Sequence, residues 1–148
     1  MIPADLIDER AQRAVQAAME AVGARWCDYG RSPVTGFDCV GLLLWCYRRA
    51  GLLPDDYMPP PYCIAGGLLE EPTLEQELAR LGWRQVNDPG PADAITFRVP
   101  RTAWHCGIIL DDEHFAHSLR GYGIVISPIA DPTWAGRIAG VWRPPWDS

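Results

Sequence analysis

The sequence predicts an α+β domain in which N-terminal helices pack on a mostly antiparallel sheet. Two patterns lead there: apolar residues recur at helical spacing through the first half of the chain, and from Trp83 onward they fall into short runs separated by turns. A third observation sets the centre of the fold, because Gly36-Phe37-Asp38-Cys39 delivers a cysteine onto the first turn of a buried helix. The chain has 148 residues, most simply a single domain over residues 1–148, and at that size folding buries roughly 68–70% of the surface that the unfolded chain exposes.

The elements follow in order. Residues 5–22 form an amphipathic helix with Ile7, Ala11, Ala14, Val15, Ala18 and Val22 on one stripe, Asp8 and Glu9 in the first turn and Gly23 past the end. Turn formers at short intervals make residues 24–38 an ordered loop leading to Cys39. Asp38 is the N-cap of the next helix, whose Val40, Leu43, Leu44 and Tyr47 share a face, with Arg48 and Arg49 in the last turn and Gly51 closing it. Three consecutive prolines keep residues 53–62 extended, a segment more at home in an enzyme loop than as a ligand for a recognition domain. Thr73-Leu74-Glu75-Gln76 is a capping box opening a third helix with Leu74, Leu78 and Leu81 on one face and Gly82 at its end. Strands are expected at 94–99, 104–110, 115–119, 123–127 and 138–142.

Composition excludes several functions. Thirteen basic against nineteen acidic residues give a net charge of −6, with no basic run, which argues against nucleic acid as a partner. The five cysteines at 27, 39, 46, 63 and 106 contain no C-x-x-C pair and leave one odd, so neither a disulfide framework nor a zinc knuckle is indicated. Cys39 and Cys46 lie about 10.5 Å apart along a helix, beyond disulfide reach. Reduced thiols, as in a cytoplasm, are expected. No basic n-region or apolar h-region opens the chain, and its longest apolar run, 40–47, is too short to span a bilayer. The expectation is a protein made in the cytoplasm with no membrane insertion, carried outward by something else if it acts outside.

The chemistry centres on Cys39. A helix N-terminus favours thiolate over thiol, and with a histidine nearby it lowers a cysteine pKa from about 8.5 toward about 3.5–7.5. An isolated cysteine is more often a small buried hydrophobe. The three histidines, His105, His114 and His117, shift the balance, since all fall in or beside one hairpin. His105 can serve as base and His117 as its orienting partner, provided that both lie on one face. Facing residues of an antiparallel pair have a constant index sum, so a shared face requires an odd loop, most simply Asp111-Asp112-Glu113. That register pairs Leu110 with His114 and Gly107 with His117, and makes His105 and His117 diagonal neighbours about 7–8 Å apart at Cα. It turns His114 outward. Cys106 is expected to face away from His105, which argues against a zinc site built from Cys39, His105, Cys106 and His117. No metal or other cofactor is implied.

Gly36-Phe37-Asp38-Cys39-Val40-Gly41-Leu42 resembles the G-F-D-C-S-G-L block of the NlpC/P60 cysteine peptidases, papain-like enzymes that cut bacterial cell-wall peptides. His105-Cys106-Gly107-Ile108-Ile109-Leu110 is similar to that family's H-V-G-I-Y-L strand, Phe115-Ala116-His117-Ser118 to its F-I-H-A strand, and residues 89–97 to its P-G-D-L-V-F-F stretch with two residues inserted. The likeness covers about residues 24–127. It implies Cys39 as nucleophile with its own N–H in the oxyanion hole, His105 as general base and His117 as third group. Where the family has a P-Y-x-Y-G-G segment, this chain has Trp26-Cys27-Asp28-Tyr29-Gly30, so the first tyrosine's place is held by Cys27. Trp26, Tyr29 and Trp104 are the candidate substrate-contacting aromatics. The implied substrate is the peptidoglycan stem peptide, at the amide between γ-D-glutamyl and the diamino acid. The ending Gly140-Val141-Trp142-Arg143-Pro144 is similar to phage tail and gene-transfer-particle versions, which implies tail-tip or hub proteins as partners and action in the periplasm; an edge strand closed by prolines is the equal alternative. A structural tail-tip plug or adaptor with little activity is the other function class.

Overall fold

The computed structural model describes residues 4–62, 72–98 and 104–147, with side chains from Glu9 onward. Cys63 and residue 99 of the expected first long strand lie outside the described residues, as do the side chains of Ile7 and Asp8. The chain runs α1 (Ala4–Ala21), β1 (Arg31–Ser32), β2 (Gly36–Phe37), α2 (Cys39–Arg49), α3 (Leu74–Arg80), β3 (Arg84–Val86), β4 (Ala94–Phe97), β5 (Cys106–Ile109), β6 (His114–Leu119), β7 (Gly123–Pro128), α4 (Pro132–Ala135) and β8 (Ile138–Arg143). This is the predicted α+β class. The six-stranded sheet has the order β3-β8-β4-β5-β6-β7, with every neighbouring pair antiparallel.

Alternation splits the sheet's side chains between two cores. Ala94, Cys106, Ile108, Ala116 and Ile124 face the helices, while Ile95, Phe97, Ile109 and Phe115 face the opposite way and are covered by Ile129, Trp134 and Ile138. On the helical side, α2 is enclosed almost all round: Leu42 and Cys46 are buried along with Val40, Leu43, Leu44 and Tyr47, so its apolar surface exceeds the single face that the spacing suggested. The stripe by which α1 meets it is made of alanines, Ala14, Ala17, Ala18 and Ala21, which let the two backbones approach closely. Val22, expected on that stripe, lies past the helix end and is exposed. From α1, the Arg10 guanidinium donates to the carbonyls of Ala50 (3.3 Å), Gly51 (3.1 Å) and Trp146 (2.9 Å), fastening the end of α2 to the C-terminal segment.

The capping box at Thr73 is formed, Gln76 N–H donating to Thr73 Oγ1 (3.1 Å) and Thr73 N–H to Gln76 Oε1 (2.8 Å). Three elements were not anticipated: the β1–β2 hairpin inside the 24–38 loop, α4, and β3, whose Arg84-Gln85-Val86 carries no apolar alternation to announce a strand. The edge-strand reading of the C-terminal run is overturned. β8 lies inside the sheet between β3 and β4, and β3 takes the edge. From β8, Arg143 donates to Asp93 (3.2 and 2.9 Å) and to the Asp88 carbonyl (2.8 Å), while Gly90 N–H donates to the same carboxylate (2.7 Å). Asp93 is 1% exposed in its side chain, and burial pushes its pKa up against the pull of Arg143.

A buried ion pair costs most when only one partner is removed. Arg143→Met is expected to lower unfolding free energy by about 3–5 kcal/mol, read as a shifted denaturation midpoint, with part of the loss recovered in Arg143→Met/Asp93→Asn.

Candidate active site

Asp38 caps α2 as predicted, its Oδ1 accepting from Gly41 N–H at 2.7 Å, so Cys39 is the first helical residue. The carboxylate is fully buried and takes three further donors: Tyr29 N–H (2.9 Å), Tyr62 O–H (2.6 Å) and the Arg31 guanidinium (3.2 Å). Gly41 is a steric requirement, because a Cβ there would stand 1.9 Å from the Gly30 carbonyl oxygen. These contacts clamp the 24–38 loop, the Tyr62 segment and the helix mouth into one body.

Cys39 is 1% exposed and lies where β5 begins. Its thiol donates to the Trp104 carbonyl at 3.4 Å, one residue before His105, and Cys106 Sγ donates to the Cys39 carbonyl oxygen at 3.5 Å. The thiol pKa falls from 9.0 to about 6, chiefly through a hydrogen bond from Cys106; desolvation opposes the fall, and His105 adds to it by hydrogen bond and charge. Cys106 itself is pushed up by burial and by its neighbour. The negative charge of the pair therefore sits on Cys39. As alternation requires, Cys106 lies in the helix-side core, facing away from the His105 ring, which lies against Phe97 and Trp134; on that side it meets the Cys39 carbonyl. Among the described residues no group of three His, Cys, Asp or Glu side chains is disposed to hold a metal ion.

The hairpin has the odd register. Gly107 pairs with His117 and Ile109 with Phe115, and Leu110 N–H donates to the His114 carbonyl at 2.9 Å around Asp111-Asp112-Glu113. His105 Nε2 stands 3.2 Å from His117 Nδ1. Gly107 leaves the space for this approach, since a Cβ there would meet the Ala116 carbonyl oxygen at 2.6 Å and His117 Cβ at 3.1 Å. His114 points away and pairs with Asp111 at 3.0 Å. Beyond His117 stands a further residue that no sequence motif announced: His117 Nε2 lies 2.8 Å from Ser127 Oγ on β7. His117 faces Val125 across the β6–β7 ladder, and Ser127 is the next residue on the same face. Burial, with the His105 charge second, lowers the His117 pKa to about 3.

That value orders the protons. A neutral His117 accepts at Nδ1 from His105 Nε2–H and donates from Nε2 to Ser127, leaving His105 Nδ1 for the thiol. The relay suits His105 whether neutral or charged.

The candidate aromatics separate. Trp104 is buried, its ring stacked on Tyr62 at 5.0 Å, and Tyr29 stands 5.1 Å from Tyr62 with its hydroxyl on the Tyr62 carbonyl (3.1 Å). Trp26 is taken up in a separate cluster, its Nε1 donating to Asp28 (2.6 Å) and Arg120 lying over its ring. A phenol reaches the helix cap from Tyr62, delivered by the proline segment, its hydroxyl on Asp38 at 2.6 Å, with burial and Asp38 pushing its pKa up. An aromatic fixed by three preceding prolines was the available signal.

Alkylation of Cys39, followed by peptide mass mapping, is expected to titrate with a midpoint near pH 6, and Cys106→Ala moves that midpoint upward. His117 has a folded pKa below its ordinary 6.5, so the unfolded chain binds the extra proton between those values. Its contribution is intact above pH 6.5 and is lost as pH falls toward 3. Wild-type stability therefore drops by up to about 1.4 kcal/mol per pH unit more steeply there than that of His117→Asn, measurable by denaturation at several pH values.

Comparison with known proteins gives one answer at three levels. Probable endopeptidases of Mycobacterium tuberculosis and Mycobacterium bovis are 33% identical over 113 residues, which cover 76% of this chain and 24% of theirs, so the chain spans about a quarter of those relatives. A lipoprotein-like NLP/P60 protein of Staphylococcus aureus shares the fold with a TM-score of 0.66 at 24% identity, covering 92% of this chain and 41% of that one. The peptidoglycan hydrolase RipB of M. tuberculosis does so with a TM-score of 0.66 at 18% identity, covering 95% and 67%. The NlpC/P60 family profile matches residues 25–143, from the loop before the cap to the last strand, and the chain belongs to the NlpC/P60 family.

Proposed function

We propose that the protein is a cysteine peptidase that cuts peptidoglycan stem peptides, most specifically the amide between γ-D-glutamyl and the diamino acid. The observation that carries the reading is a capped, charge-favoured thiol at Cys39 beside a histidine whose far nitrogen is held by a neutral second histidine. The Cys39 thiolate attacks the amide carbonyl, and the oxyanion is met by the Cys39 N–H, which the helix leaves without an internal acceptor. His105 protonates the departing amine, and the acyl-enzyme is then opened by water with His105 as base. His117 and Ser127 fix the imidazole and its tautomer. The RipB likeness supports peptidoglycan, and the endopeptidase relatives support peptide cleavage within it.

Carriage on a phage-type tail is part of the proposal. It is supported by the resemblance of the Gly140–Pro144 ending and by a net charge of −6, which gives no capture by an anionic envelope and leaves tethering to supply effective concentration. The protein would then be delivered with tail-tip or hub proteins and act in the periplasm. Co-purification with such proteins is the expected result, and recovery only as free protein counts against it.

Incubation with purified sacculi, followed by mass analysis of the fragments, tests the activity. Shortened stem peptides on intact sugar chains are expected, and Cys39→Ala lowers the rate by on the order of 10⁶. Cleavage between sugars, or between lactate and L-alanine, would show the bond to be wrong.

A further inference from the structure

The mechanism leaves one nucleophilic group in contact with Cys39 unused. Cys106 is fully buried, its thiol donating to the Cys39 carbonyl oxygen at 3.5 Å and near enough to the Cys39 sulfur to lower its pKa. It stands where the family's H-V-G-I-Y-L strand carries valine, so neither packing nor the relay calls for a thiol there. Cys46, two turns further along α2, is too distant to serve Cys39, and Cys27 is engaged at the Asp28 carbonyl.

We propose that Cys106 is a resolving thiol for Cys39: a peroxide oxidises Cys39 to sulfenic acid, and Cys106 closes it into an intramolecular disulfide that switches the site off reversibly. In the first step the thiolate sulfur attacks one peroxide oxygen, the O–O bond breaks, and hydroxide leaves with the electron pair. Sulfur is oxidised and peroxide reduced. In the second, the Cys106 sulfur attacks the sulfenic sulfur, the S–O bond breaks, and the hydroxyl departs as water with the Cys106 proton. Burial holds the Cys106 proton on and the Cys39 charge adds to it; converting Cys39 from thiolate to neutral sulfenic acid removes that second contribution and eases the resolving step.

The test uses the whole protein, reduced, freed of reductant and treated with hydrogen peroxide. Its mass is expected to fall by two hydrogens, with the Cys39 and Cys106 peptides joined after digestion without reductant, and with thiol alkylation and sacculus cleavage lost and then restored by dithiothreitol. In Cys106→Val, or Cys106→Ser should the first not fold, Cys39 instead gains two or three oxygens and dithiothreitol restores nothing. Oxygen addition without a link in the wild type, or a link from Cys39 to Cys27, Cys46 or Cys63, overturns the proposal. The link is read by mass, so it stands or falls separately from the substrate: a reduced protein inert toward sacculi would sink the proposed function and leave this result intact.

Discussion

One buried carboxylate holds the arrangement together. Asp38 is fully enclosed and takes a donor from each of four places: the first turn of α2, the backbone at Tyr29, the Arg31 guanidinium and the Tyr62 hydroxyl. An ionised group in such a position is tolerable only when every oxygen is satisfied, so its neighbours are fixed by the same requirement. Tyr29 accepts a positive φ of 58° to present its N–H. The cap places Cys39 at the positive end of the helix dipole, and the clamped loops stack Tyr29, Tyr62 and Trp104 in sequence from the cap toward the residue whose carbonyl meets the thiol.

The second constraint is the pleat of the sheet. Cys39 belongs to the helical layer, whereas His105, His117 and Ser127 occupy the opposite face, packed with Phe97, Phe115 and Trp134. The two sets meet only because Cys39 stands at the beginning of β5, where a carbonyl, an imidazole and a thiol from three successive residues all come within its reach. The dry aromatic setting of His117 suppresses its basicity and keeps it an acceptor toward His105.

Much of this was legible in the chain, for identifiable reasons. The Asp38 cap and the Thr73 capping box rest on local rules, and the demand that His105 and His117 share a face, joined to strand parity, was enough to select the 111–113 loop. What escaped depends on contacts distant in sequence. Tyr62 reaches Asp38 across 24 residues, and Ser127 meets His117 through a second hairpin whose register was left unread. Alternation correctly turns Cys106 away from His105, but it says nothing of the helix packed on that face, where Cys106 meets the Cys39 carbonyl. The interior place of β8 was hidden because its partner β3 is three residues of which only Val86 is apolar, too short a run to announce a strand.

The enclosure of α2 carries a consequence for how the molecule opens. Segments that breathe independently are those with few buried contacts, and this helix has almost none of its length free. Releasing Cys39 from its surroundings by local fraying would mean dismantling the alanine seam with α1 and the helix-side core of the sheet together. Amide protons of α2 from Leu42 onward, which are bonded within the helix, should therefore exchange only through the global unfolding event. The reactive thiol and the last structure to melt are the same element, which keeps a competent site and an intact domain from ever parting company.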